Sequence, residues 1–133
     1  MKTPADICSG IATRLDTIDG LKVYTTVPAK INELPAAIIV PETGEYDFEF
    51  GGAKMRHFMR VQVFVRLGDM AAAQDAIASF FDSVPAAINA DPRLAGSVDS
   101  TRVTRYENYG LMAAPGASEP NALGVDFILE VIG

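Results

Sequence analysis

Residues 45–67 constrain the fold more than any other stretch. Glu45-Tyr46-Asp47-Phe48-Glu49-Phe50 alternates acid and aromatic, and Gly51-Gly52 follows. A second alternation runs from Arg56 to Leu67. His57, Met59, Val61, Val63, Val65 and Leu67 fall on one side, and Arg56, Phe58, Arg60, Gln62, Phe64 and Arg66 on the other. A period of two is the signature of a strand, and a glycine pair between two such runs suits a hairpin turn. The stretch predicts a long antiparallel hairpin. Acids of its first strand can lie opposite arginines of its second, each pair contributing roughly 0.2–1 kcal/mol.

The flanking segments predict the layers that cover this hairpin. Thr3-Pro4-Ala5-Asp6 reads as a helix start, with Thr3 as cap, Pro4 in the first turn and Asp6 at the capping-box position. Ile7, Ile11, Leu15 and Ile18 then form one apolar stripe ending near Asp19-Gly20. Leu21 to Tyr24 is a short strand, Pro28 and Pro35 bracket a loop, and Ala36 to Val40 is a buried strand. Asp69 caps a second helix with a stripe of Met70, Ala73, Ile77 and Phe80 or Phe81. Ser83-Val84-Pro85 predicts a short third helix ending near Asn89. Asp91 to Gly96 is turn-like. Val98 to Asn108 reads as a strand of poor alternation, with Tyr109 to Met112 continuing or pairing with it. Ala113 to Pro120 is a loop or an exposed hairpin tip. The last strand is clear: Leu123, Val125, Phe127, Leu129 and Val131 face inward, and Ile128 and Ile132 break the polarity of the other face. The expected class is α+β, a mainly antiparallel or mixed sheet with two to three helices on one face. At 133 residues, 49% apolar, a single domain over 1–133 is expected.

Charge and residue counts bound the chemistry. Eleven Lys and Arg against seventeen Asp and Glu give −6, which disfavours a protein that coats nucleic acid or a basic membrane-surface binder. No secretory leader is expected, because Asp6, Arg14 and Asp16 interrupt the first residues. Phosphate-binding glycine loops, C-x-x-C, H-E-x-x-H and G-x-S-x-G are all missing from the sequence. One Cys and one His leave little for a metal or a nucleophile. Cys8 reads as a small buried hydrophobe, and His57 as a structural histidine near a strand end. Glu42, Glu45, Asp47 and Glu49 splay along a strand at roughly 7 Å intervals, so they suit a solvated or intersubunit face better than a cation site. No cofactor, metal or catalytic group is expected.

Both faces of the hairpin carry apolar side chains. Phe48 and Phe50 stand on its first strand, and Phe58 and Phe64 among Arg56, Arg60 and Arg66 on its second. A sheet with helices on one side needs no such second face. The expectation is a subunit interface formed by these seven residues. The runner-up, from another class, is a small cytosolic α+β enzyme or ligand-binding module. A nucleic-acid accessory role is disfavoured by charge.

The chain as a whole resembles the tail terminator, or tail completion, proteins of long-tailed phages, above all the short versions from phages of actinobacteria. The residues that carry the likeness are an ordered set. It opens with Ala5 to Leu15 and Gly20-Leu21-Lys22-Val23-Tyr24, followed by Tyr46 to Gly51. Arg60 to Val65 and Ala72-Ala73-Gln74-Asp75 come next, then Val103-Thr104-Arg105-Tyr106-Glu107-Asn108-Tyr109-Gly110 and Gly124 to Val131. The resemblance implies a virion subunit, assembled in the bacterial host cytoplasm, that closes into a sixfold homo-oligomeric ring. It implies tail-tube and head-connector proteins as partners, no membrane, and DNA that passes through without specific binding. With an acidic lumen in mind, Glu42, Glu45, Asp47 and Glu49 are the expected channel-facing acids.

Overall fold

The computed structural model of the chain describes residues 3–47 and 54–133. Helix α1 (Pro4–Leu15) begins on the full capping box: the Thr3 side chain accepts from the Asp6 amide, and the Asp6 carboxylate accepts from the Thr3 amide. It stops at Leu15, a turn earlier than the stripe predicts. Ile18 still packs on the core from the turns that follow, which close on Gly20 at φ +79°.

Strands β1 (Lys22–Tyr24), β2 (Ala36–Asp47), β3 (Lys54–Arg66), β4 (Ser100–Met112) and β5 (Ala122–Ile132) form one mixed sheet in the order β1-β2-β3-β5-β4. Only β1 and β2 are parallel. The predicted hairpin is β2–β3, and β2 merges the two strand segments read separately in the sequence. Its register sets Glu45 opposite Arg56. A bulge between Pro41 and Thr43 absorbs Glu42. The hairpin tip at 48–53 lies outside the described residues.

Helix α2 (Met70–Asn89) is capped by Asp69, whose carboxylate accepts from the Ala71 amide at 3.2 Å. It runs through Pro85 without a break, so the predicted third helix is its last turn. Proline removes one helical donor, but burial of Val84, Ala87 and Ile88 holds the turn in place. Met70, expected in the apolar stripe, is exposed; Ala73, Ile77, Phe80 and Val84 form the stripe instead.

Both helices cover the same sheet face. Ile7, Ile11 and Leu15 of α1 and the α2 stripe close over Met59, Val61, Val63, Val65 and the inward side chains of β5. Arg14 Nε donates to the Ala87 carbonyl at 2.9 Å and ties α1 to the end of α2. The fold class is thus α+β, with two helices on one face of a five-stranded sheet.

A second, smaller core lies on the opposite face. Ile31, Ala36, Ile38, Phe64, Ala114 and Ala122 are buried together there, flanked by Tyr24, Leu34, Val40 and Met112. The loops 25–35 and 113–121 form its roof. The Ile31 amide donates to the Pro115 carbonyl at 3.0 Å, and the Ala114 amide donates to the Asn121 side chain at 2.9 Å. Gly116, at φ +88°, passes so close to Ala29 and Lys30 that a Cβ would meet backbone at 2.8 Å. The segment Ala113 to Pro120 is a loop, one of its two expected forms; Ala114 is buried in this core, while Ala113, Gly116 and residues 118–120 are exposed.

Candidate interaction surface

Beyond the second core, the helix-free face of the sheet carries a lattice of charge. Its centre is Arg60 on β3. One guanidinium nitrogen, Nη1, donates to Asp126 Oδ2 at 2.6 Å; the other, Nη2, pairs with Glu42 and with Glu107 Oε1 at 2.7 Å. Asn108 stands at φ +58° in a β4 irregularity and donates from Nδ2 to the same Asp126 oxygen at 2.8 Å. Arg105 Nε donates to Glu107 Oε2 at 3.2 Å. Around this core of charge, Arg56 lies 3.9 Å from both Glu45 and Glu130, and Arg102 lies 3.3 Å from Glu130. Lys54 pairs with Asp99.

The energetic weight sits at Arg60 and Asp126. Asp126 is 4% exposed, and its Oδ1 is buried with no hydrogen-bond partner among the described residues. Burial by itself would lower the Arg60 pKa, but hydrogen bonds to Glu42, Asp126 and Glu107 outweigh it and hold the guanidinium more firmly charged than usual. Hydrogen bonds from Arg60 and then Arg105 hold the Glu107 carboxyl below the usual carboxylate range. The outer pairs are mostly exposed and contribute little each.

The expected site residues fall into distinct groups. Phe64 is 4% exposed and fills the second core, so it is a core residue and not a free interface side chain. Arg60 is used inside the chain, and Arg56 contacts Glu45 and Glu130. Phe58 is half-buried and Arg66 exposed. Of the acids, Glu42 shares Arg60 with Glu107 and Asp126, and Glu45 lies 3.9 Å from Arg56 with its side chain 64% exposed. Asp47 ends β2 in register with Lys54. Phe48, Phe50 and Glu49 lie outside the described residues.

A second patch escaped the sequence reading. On the helix side of β4, at the sheet edge, Tyr106, Tyr109 and Leu111 are 58%, 45% and 55% exposed. Phe81 of α2 anchors the patch. Its ring meets Tyr106 edge-on at 4.8 Å, Phe127 at 5.4 Å and Tyr109 at 6.1 Å. The sequence signal was the poor alternation of 98–112. It marks register shifts at Val103/Arg105 and Glu107/Gly110, and these turn Asn108 toward Asp126.

His57 is 3% exposed on the helix face, and its Nε2 is buried without a hydrogen-bond partner among the described residues. Burial pushes its pKa below the ordinary 6.5. The unfolded chain therefore takes up this proton first, so stability is full above pH 6.5 and falls as pH drops through that value. His57→Leu is expected to flatten the decline between pH 7.5 and pH 5.5 in urea midpoints, roughly the range set by imidazole titration; an unchanged decline would place the sensitivity elsewhere. Cys8 is buried and burial pushes its thiol up, consistent with a packing role.

Among the described residues no group of three or more His, Cys, Asp or Glu is placed to hold a metal ion, and no helix is long and apolar enough to cross a membrane. A hollow of about 460 Å³ is an open groove between α1 and the 91–97 turn, lined by Ser9, Thr13, Arg14 and Leu94 among others. No protein-family model and no curated protein matches the chain.

Proposed function

We propose that the chain is a virion structural subunit. Copies close into a ring, the sixfold ring of the terminator proteins it resembles, cap the finished tail tube of a long-tailed phage, end its growth and join it to the head connector. The observation that carries this is the exposed edge patch of Tyr106, Tyr109 and Leu111, backed by Phe81. Aromatic surface of this kind suits a protein contact. The ordered likeness along the sequence supplies the class of assembly.

Charge distribution supports the passage of DNA on the helical side. Segments 3–20 and 68–98 hold seven aspartates, among them Asp16, Asp75 and Asp82, against only Arg14 and Arg93. On the helix-free face Glu42, Glu45, Glu107, Asp126 and Glu130 lie against Arg56, Arg60, Arg102 and Arg105, which offset most of their charge. A wall that must not retain phosphate is better made of the helix layer. The test is to polymerise the tail-tube protein encoded by the same genome with and without the chain. Tubes are expected to stop at a bounded length only when the chain is present; equal length distributions would contradict the role.

A further inference from the structure

We infer that copies of the chain join through the two uncovered edges of its sheet, the acidic edge of β2 against the basic edge of β4 of the next copy. This deepens the ring reading and rests on it for closure. Strand β1 covers β2 only at Ala36–Ile38, and residues 41–46 are exposed. At the other side, β4 pairs with β5 alone among the described residues.

The two edges are matched in charge, height and face. Following the register across one copy, Thr43 stands level with Phe58, Glu130 and Arg102; Glu45 with Arg56, Ile132 and Ser100; Val40 with Arg60, Ile128 and Arg105. Carried into the next copy without shear, this sets the strands antiparallel and keeps the helices of both copies on one side; from Glu107 to Gly110 β4 falls level with Ala36–Ile38, where β1 stands, so the contact is confined to residues 100–105 of β4 against 40–45 of β2. Glu45 then sits diagonal to Arg102, and Glu42, in the bulge between the levels of Val103 and Arg102, lies next to Arg102, with both acids and Arg102 on the helix-free face. Glu45, Arg102 and Arg105 are the most open members of the lattice, with side chains 64%, 69% and 54% exposed.

The same charges select the symmetry. Two β4 edges together would oppose arginines, and two β2 edges would oppose glutamates, so two-fold pairing is disfavoured. A head-to-tail contact remains, and such a contact closes into a ring when its rotation allows. Pro41 and the bulge after it remove ladder donors in mid-edge, which limits backbone pairing and guards against open-ended sheet growth.

The test is sedimentation of the full chain as wild type, Glu45→Arg, Arg102→Glu and the double variant, with circular dichroism to check that each is folded. Wild type is expected to self-associate. Each single reversal should weaken association by about tenfold, and the double should return it to near wild type. Glu45→Gln and Arg102→Gln should weaken it less, and they carry the test if a reversal unfolds. Association that ignores both reversals overturns the edge contact while leaving a ring by other surfaces. A wild type that stays monomeric at every concentration overturns it too, while tube capping is tested separately. Binding of a foreign strand that Arg102→Glu blocks and Glu45→Arg ignores likewise overturns it.

Discussion

Phe64→Asp is expected to leave almost no folded subunit, so that assembly fails for want of a monomer. Phe64 is 4% exposed among Ile31, Ile38, Ala114 and Ala122, beneath two loops held by their own hydrogen bonds. Removing the ring costs about 3–5 kcal/mol by analogy with other buried Phe truncations. The new carboxylate adds several kcal/mol, because it would be buried among the apolar side chains that pack on Phe64. Together these rival the whole stability of a small domain, roughly 5–15 kcal/mol. Phe64→Leu keeps the pocket apolar and should cost about 1–2 kcal/mol and leave a folded protein. Circular dichroism and soluble yield read the outcome. A folded Phe64→Asp monomer that fails only in assembly would return this residue to the interface.

Arg60→Met is expected to be the most damaging change on the charged face, at about 3–5 kcal/mol. Arg60 is the shared partner of Glu42, Glu107 and Asp126, and Asp126 has a side chain only 6% exposed. Without the guanidinium, three carboxylates remain close together, and Asn108 is the one other described donor to Asp126. The loss should depend on pH. Arg60 and Arg105 hold Glu107 below the usual carboxylate range, so that contribution is present above the unfolded carboxylate pKa and fades as pH falls through the folded one. The gap between wild type and Arg60→Met is therefore expected to be wide at pH 7 and narrower near about pH 4. Urea unfolding at both values measures it. A gap that is small at pH 7 would mean that water or rearranged donors compensate the acids.

Local chemistry made much of this fold legible. The capping box at Thr3 and Asp6, the Asp69 cap and the alternation of His57 to Leu67 are short-range patterns, and each appears as predicted. Helix continuity at Pro85 was not legible, because the burial that sustains it comes from the sheet and not from the helix. The site was harder still. Arg60 meets partners 18, 47 and 66 residues away. Two of them come together only because β5 inserts between β3 and β4. The apolar residues on the helix-free face were read as an intersubunit surface. Phe64 belongs to a second core instead, since loops 25–35 and 113–121 fold back over it, and nothing in their composition announces that. The exposed aromatics of β4 were hidden by the bulges that break its period.

Imaging the ends of tail tubes grown with the chain tests its role most directly. Electron microscopy is expected to show a ring of this protein on one end of each length-limited tube and none along the shaft. Tubes with bare ends, or with the chain scattered along their length, would contradict a terminating cap.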